Sequence, residues 1–235
     1  MAKIHIAKYF LLMILCLASL FNKQTSPTSH TIVPSKTKNV EKTANGIEDK
    51  KTKLDKKDER LIKYLATHSH WTPFAHVSLQ FHIQAPIFVA RQLIKHQVGL
   101  VWNEISRRYV DTPPTFYTPE KWRGRAKDKK QGASEEEVSN HGTQTYETAC
   151  HRAVEHYNQL IDSGVCPEQA RMVLPQSMMT EWYWSGSLFA FARVCNLRCK
   201  PDAQYETQLV ANAIDELAIN VAPVSWKELR PLDIG

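Results

Sequence analysis

Residues 58–235 predict a mixed domain, α/β or α+β, with few strands and many helices. Two patterns lead there: one clean stretch of period-2 alternation in HVSLQFHI, and several stretches with apolar residues at helical spacing. A third observation narrows the class. No internal repeat is visible, and the aromatic-rich run 178–198 is interrupted by Glu181, Ser185 and Arg193, too often for a membrane span. At 235 residues and 43% hydrophobic content the chain is long enough and apolar enough to bury a sizeable core.

In chain order, MAKIHIAKYFLLMILCLASLF has a basic start and an apolar run from Tyr9 to Phe21, like a signal peptide or short anchor. Residues 1–36 are expected to be leader and polar tail outside the fold, and 37–57 a Lys-rich linker, ahead of a domain over 58–235. DERLIKYLATHSHW places Leu61, Ile62 and Leu65 on one side of a short helix that ends before Pro73. HVSLQFHI alternates Val77, Leu79, Phe81 and Ile83 against polar residues, a strand with one buried face. APIFVARQLIKHQ reads as a helix with Pro86 in its first turn and Ile87, Ala90 and Ile94 facing inward. Residues 112–140 mix Pro, Gly and both charges and read as a long exposed excursion. TQTYETACHRAVEHYNQLIDSG is helical and closes at Gly164, PEQARMVLP is a short helix between prolines, and a last helix covers about 203–221.

Charge narrows the partners. Residues 1–60 carry 12 Lys+Arg against 6 Asp+Glu, whereas 61–235 carry 18 of each. The basic character therefore belongs to the N-terminal stretch, the patterned part is neutral, and a nucleic-acid partner, which needs a basic face, is not expected. Five cysteines form no recognisable disulfide or zinc spacing; Cys195 and Cys199 make an isolated CxxxC and read as buried small side chains in a reducing compartment.

KHQVGLVWNEISRRY, residues 95–109, concentrates the chemistry. Taken as extended, NEISRRY puts Glu104, Ser106 and Arg108 on one face: a carboxylate, a hydroxyl and a guanidinium in a row. That set suits a nucleotide, with the guanidinium on phosphate and the carboxylate on an N–H or sugar hydroxyl, although the same spacing also fits an exposed strand with solvated charges. Lys95, His96 and Gln97 add donors directly upstream. His68, His70 and His76 lie close together, and an HxH can offer two zinc ligands, but no Cys or carboxylate of suitable spacing completes the set, so no metal is expected. Arg171 and Arg198 stand among apolar residues, as structural ion pairs or anion ligands. There is no GxSxG elbow, diagnostic Cys motif, GxGxxG or P-loop.

Taken in order, HSHWTPFAH, APIFVARQLIKHQ, NEISRRY, ARMVLP and NLR resemble the flavin-dependent thymidylate synthases over about residues 58–222. The family's RHR triplet followed by NExSxRY is present as Lys95-His96-Gln97 and then Asn103-Glu104-x-Ser106-x-Arg108-Tyr109, with a spacer one residue longer than usual. The resemblance implies a small antiparallel sheet packed with several helices. It implies reductive methylation of dUMP to dTMP, with FAD as cofactor and NADPH and methylenetetrahydrofolate as co-substrates. It also implies a homotetramer with sites shared between subunits, working in the cytoplasm, where membrane attachment is not expected. By matched position Gln92, Lys95, Glu104, Ser106, Arg107, Arg108 and Arg171 would surround dUMP. Thr72, Lys95, His96, Gln97, Glu104, Ser187 and Arg193 would meet FAD. Arg198 matches the arginine that activates the uracil ring, and His70 an active-site histidine. Phe189 and Asp202 stand where the family often has arginine and histidine, and EKTANGIEDKK replaces an Ala-Arg-x-Ser-Phe stretch. A homologue that binds nucleotide or flavin with impaired turnover, and a membrane-tethered protein of other role, are the alternatives.

Overall fold

The computed structural model describes residues 54–109, 113–126, 133–138 and 141–230. The apolar leader and nearly all of the Lys-rich linker lie outside the described residues. No described helix is long and apolar enough to cross a membrane.

Helix α1 (Lys56–Thr67) opens on a capping box. The Asp55 carboxylate accepts from the backbone N–H groups of Lys57 and Asp58 at 2.8 and 3.0 Å, and the Asp58 carboxylate accepts from Asp55 N–H at 3.1 Å. These bonds account for a carboxylate as buried as Asp58, at 4% exposure. Ile62 is buried and Leu65 packs at the core's edge, but Leu61, expected inward, points to solvent. The short α2 (Thr72–Ala75) buries Phe74 and leads into β1 (Ser78–Pro86).

The central sheet has three antiparallel strands in the order β1, β5 (Met179–Ser187), β2 (Leu100–Glu104). Its middle strand comes last in sequence. Phe81 and Trp102 both pair with Trp184 from opposite sides, and Glu104 pairs with Trp182. Along β5, Thr180, Trp182 and Trp184 are buried while Glu181, Tyr183 and Ser185 are only partly so. The polar residues that interrupt the aromatic run are in part the outward positions of a strand. On the inner face Trp102 stacks on Trp182 (4.4 Å, 17°), and Phe191 meets Phe81 and Trp184 edge-on at 4.8 and 5.3 Å. Helices α3 (Ile87–Leu93), α6 (Leu188–Arg198) and α7 (Tyr205–Val221) cover that face, and Val89, Leu93, Val194, Val210 and Ile214 complete one contiguous core.

Several expected boundaries move. Pro86 ends β1 and serves as the N-cap of α3, and the buried residues of α3 are Val89, Ala90 and Leu93, with Ile94 partly exposed beyond it. The excursion over 112–140 contains a two-stranded sheet, β3 (Arg123–Arg125) with β4 (Ala133–Glu137). It is tied down by Trp122 Nε1, which donates to Thr143 at 2.8 Å, and by an Arg123–Glu206 ion pair at 2.8 Å. Helix α4 (His141–Asp162) ends in a Schellman pattern: Val165 N–H bonds Leu160 O, Gly164 N–H bonds Ile161 O, and Gly164 has φ +84°. Helix α5 (Pro167–Ala170) runs into one 3-10 turn, Arg171–Val173. The helix expected over about 203–221 is α7, and a further short helix follows it. Pro223 starts α8 (Pro223–Leu229), and Asp215 of α7 binds it by accepting from Trp226 Nε1 at 2.8 Å and Arg230 Nε at 2.7 Å.

Candidate functional site

The site is built where β5 turns into α6 and where α3 turns into β2. Gly99, at φ +76°, closes the second turn, and its carbonyl accepts from Ser187 N–H at 3.1 Å. Gly186 lies opposite: a Cβ there would stand 2.5 Å from Gly99 O and 2.5 Å from Leu100 Cδ2. Two glycines thus let the backbones meet and shape the floor of a cleft of about 510 Å3. Its walls carry Trp71 and Phe189, with rings 6.0 Å apart and tilted by 35°, together with Val98, Ser187 and Arg193. An apolar, partly aromatic cleft with one guanidinium and two hydroxyls, Ser78 and Ser187, matches a planar ring system bearing an anionic tail. Ser187 also caps α6, its Oγ accepting from Ala190 N–H at 3.1 Å, so its hydroxyl hydrogen remains for a ligand.

The turn after α3 brings His96 against the last turn of α6, where Arg198 Nε donates to His96 Nε2 at 3.0 Å. That bond requires a lone pair on Nε2, so the imidazole is neutral with its proton on Nδ1. Burial, and then the positive charges of Arg198 and Arg193, hold the His96 pKa below its ordinary value. Three of the sequence-predicted residues therefore form one cluster beside the cleft, and Arg193 belongs to both.

Glu104 ends β2 on the inner face of the sheet. Its Oε1 accepts from the buried Thr180 hydroxyl at 2.8 Å and its Oε2 from Trp102 Nε1 at 3.1 Å. Gln92, in the last turn of α3, accepts at Oε1 a hydrogen bond from the Thr207 hydroxyl of α7. Sequence reasoning missed these three partners. Trp102 had a signal, being two residues before Glu104 in a strand and so on the same face, whereas Thr180 and Thr207 are distant in sequence and had none.

The expected row of Glu104, Ser106 and Arg108 along one extended face is not present. Pairing with β5 stops after Ile105 N–H bonds Glu181 O at 3.0 Å, and without a partner strand the chain turns at Arg107 and Arg108. Ser106 Oγ instead accepts from Arg108 Nε at 3.1 Å. Arg171 is exposed and donates Nε–H to Glu168 O at 3.2 Å. Lys95, Gln97, His70 and Thr72 are exposed, with Thr72 one residue beyond Trp71 of the cleft wall. Glu104, Ser106, Arg107, Arg108, Arg171 and Arg198 are not among the residues lining the cleft.

A family model described as thymidylate synthase complementing protein matches residues 23–224. Proteins named flavin-dependent thymidylate synthase are similar to this chain. The one from Kosmotoga olearia is 36% identical over 174 residues, covering 73% of this chain and 75% of that protein. One from Thermus thermophilus is 39% identical over 175 residues, covering 74% of this chain and 64% of that protein. Among solved structures, the UMP/dUMP methylase PolB of Streptomyces cacaoi bound with 5-Br dUMP superposes with a TM-score of 0.69 at 28% identity, covering 82% of this chain and 87% of that one.

Proposed function

This chain belongs to the flavin-dependent thymidylate synthase family, and on that footing we propose that it converts dUMP to dTMP. Methylenetetrahydrofolate would supply the carbon and NADPH the hydride, relayed through FAD. The observation that carries the reading is the Arg198–His96 bond. It joins the residue matched to the uracil ring with one matched to the flavin, beside a cleft whose aromatic walls, Ser187 and Arg193 fit a flavin nucleotide.

The chemical difficulty is that C5 of uracil is a poor nucleophile. Bound FAD supplies the two-electron redox chemistry; the protein's residues bind, orient and polarise. Arg198 has its Nε–H committed to His96, which fixes the plane of the guanidinium and leaves its terminal N–H groups for negative charge developing on the pyrimidine. A neutral His96 adds no competing charge. Glu104, with each carboxylate oxygen already held by one protein donor, is a preoriented acceptor for a ligand N–H or hydroxyl. No cysteine lines the cleft, and the interaction with Cys199, then burial, pushes the Cys195 thiol well up. The fixed Arg198 guanidinium and the preoriented Glu104 carboxylate favour charge stabilisation on the ring. Lys95, Ser106, Arg107, Arg108 and Arg171 would receive the dUMP phosphate, and Thr72, His96, Gln97, Ser187 and Arg193 the flavin nucleotide, with His70 as a further active-site residue.

The proposed assembly is a homotetramer with shared sites. Val98, Val101, Tyr109 and Met172 are 70–78% exposed, apolar side chains on the same segments as Arg107, Arg108 and Arg171, and a second subunit would cover them. Use of dUMP, a folate and NADPH would suit a cytosolic enzyme.

The purified full chain should carry a flavin absorbance, form dTMP from dUMP only with FAD, methylenetetrahydrofolate and NADPH, and release tritium from 5-labelled dUMP. Flavin and dUMP binding without tritium release would identify an impaired homologue. Absence of both would end the proposal, and recovery in the membrane fraction would favour a tethered protein.

A further inference from the structure

We propose that Thr207 is a positioning residue for the nucleotide site, turning the amide nitrogen of Gln92 toward the ligand. The inference rests on the reading of Gln92 as a dUMP contact. Thr207 has no exposed surface and stands in the first turn of α7, where its hydroxyl donates across to Gln92 Oε1 on α3. The usual local alternative for a helical threonine, the carbonyl four residues back, is not used: Ala203 O lies before the start of α7 and accepts from Gln208 Nε2 at 2.6 Å. A buried hydroxyl without a partner is costly, so the bond to Gln92 satisfies one side chain and orients the other.

An amide has an acceptor end and a donor end of nearly the same shape; a hydroxyl can meet either, but the buried Thr207 proton has Gln92 Oε1 as its acceptor, and turning the amide would take that acceptor away. With Oε1 bound to Thr207, the outward group of Gln92 is its NH2, which can only donate. The site is thereby set to receive an acceptor oxygen of the nucleotide. Without the hydroxyl the amide can rotate and present Oε1 to that oxygen.

Titration calorimetry with dUMP on the FAD-loaded full chain tests this with Thr207→Val, Thr207→Ser, Gln92→Ala and the double variant Thr207→Val/Gln92→Ala. Thr207→Val should weaken dUMP binding about five- to tenfold, Thr207→Ser should restore it, and the double variant should bind no more weakly than Gln92→Ala alone, because Thr207 acts through Gln92. Parent-like affinity in Thr207→Val, a Ser variant as weak as the Val variant, or losses that multiply in the double variant would overturn the inference. Parent-like affinity in Gln92→Ala would instead show that the reading of Gln92 itself is wrong. Flavin absorbance and melting temperature report whether each variant folds, and Thr207→Ala replaces Thr207→Val if the latter does not.

Discussion

A guanidinium that gives its Nε–H to an imidazole nitrogen needs that nitrogen deprotonated, so the Arg198–His96 contact depends on pH. The folded state holds the His96 pKa below its unfolded value through burial and the charges of Arg198 and Arg193. In the window between the two values the unfolded chain binds more protons than the folded one. The stability that this group contributes is therefore present above about 6.5, the ordinary histidine value, and is lost as pH falls toward the lower folded value. His96→Gln keeps an acceptor for Arg198 and removes the titration. Its melting temperature should fall less steeply than the parent's between pH 8 and 5, and its turnover should retain more of its neutral-pH value at acid pH. Equal slopes for the two proteins would mean that His96 is not the group responsible. At this scale the sequence displayed the candidate side chains but not their companions. Residues 92, 96, 104 and 198 fall in recognisable motifs, whereas Thr180 and Thr207, which hold two of them, are ordinary threonines brought near by strand pairing and helix packing.

Between elements, the junction of β5 and α6 carries most of the site. Gly186→Ala places a methyl 2.5 Å from the carbonyl of Gly99, backbone that cannot swing aside like a side chain. The variant should lose about 1–3 kcal/mol in urea unfolding and retain less FAD, because the floor of the cleft opens as β2 shifts from β5. Unchanged stability and flavin content would show that the two turns accommodate each other by other means. The far end of α6 makes a different prediction. Cys195 is fully buried and Cys199, its C-cap one turn on, is half-buried. Their mutual hydrogen bond lowers the Cys199 pKa, with Arg230 adding to it, and raises that of Cys195. Iodoacetamide should modify Cys199 and the exposed Cys166 in the native protein while sparing Cys195 until unfolding, as peptide mass mapping would show. The first strand and α4 were legible from periodicity. β5 was not read as a strand because its inward tryptophans and outward Glu181, Tyr183 and Ser185 leave few non-aromatic apolar residues to display the alternation. The β3–β4 pair was hidden for a simpler reason. Its strands are short, bracketed by Gly and charged residues, and the sequence around them reads as a loop.

For the whole molecule, one sheet and its covering helices account for the core, as expected of a chain whose residues 61–235 balance in charge and whose apolar patterning is continuous. A single subunit does not account for the exposed apolar side chains of residues 98–109 and of the Arg171–Val173 turn. Those segments carry the arginines assigned to the dUMP phosphate, yet they also expose Val98, Val101, Tyr109 and Met172, and neither Arg108 nor Arg171 lines the cleft. Both facts have one explanation if a second copy covers the apolar side chains and brings its arginines to the neighbouring cleft. Sequence periodicity could not show this, because an interface residue and an exposed one occupy the same outward position on a strand. Val101, outward on the edge strand β2 and 70% exposed, tests it without touching an assigned ligand. Val101→Glu would put buried, unpaired carboxylates into an apolar interface, a cost of several kcal/mol per site. Light scattering should then find a smaller species than the parent, and calorimetry should find weakened dUMP binding, since the phosphate ligands would no longer arrive from the neighbour. A tetramer of parent mass and full affinity would place the subunit contact on another face and return Arg108 and Arg171 to the protomer that carries them.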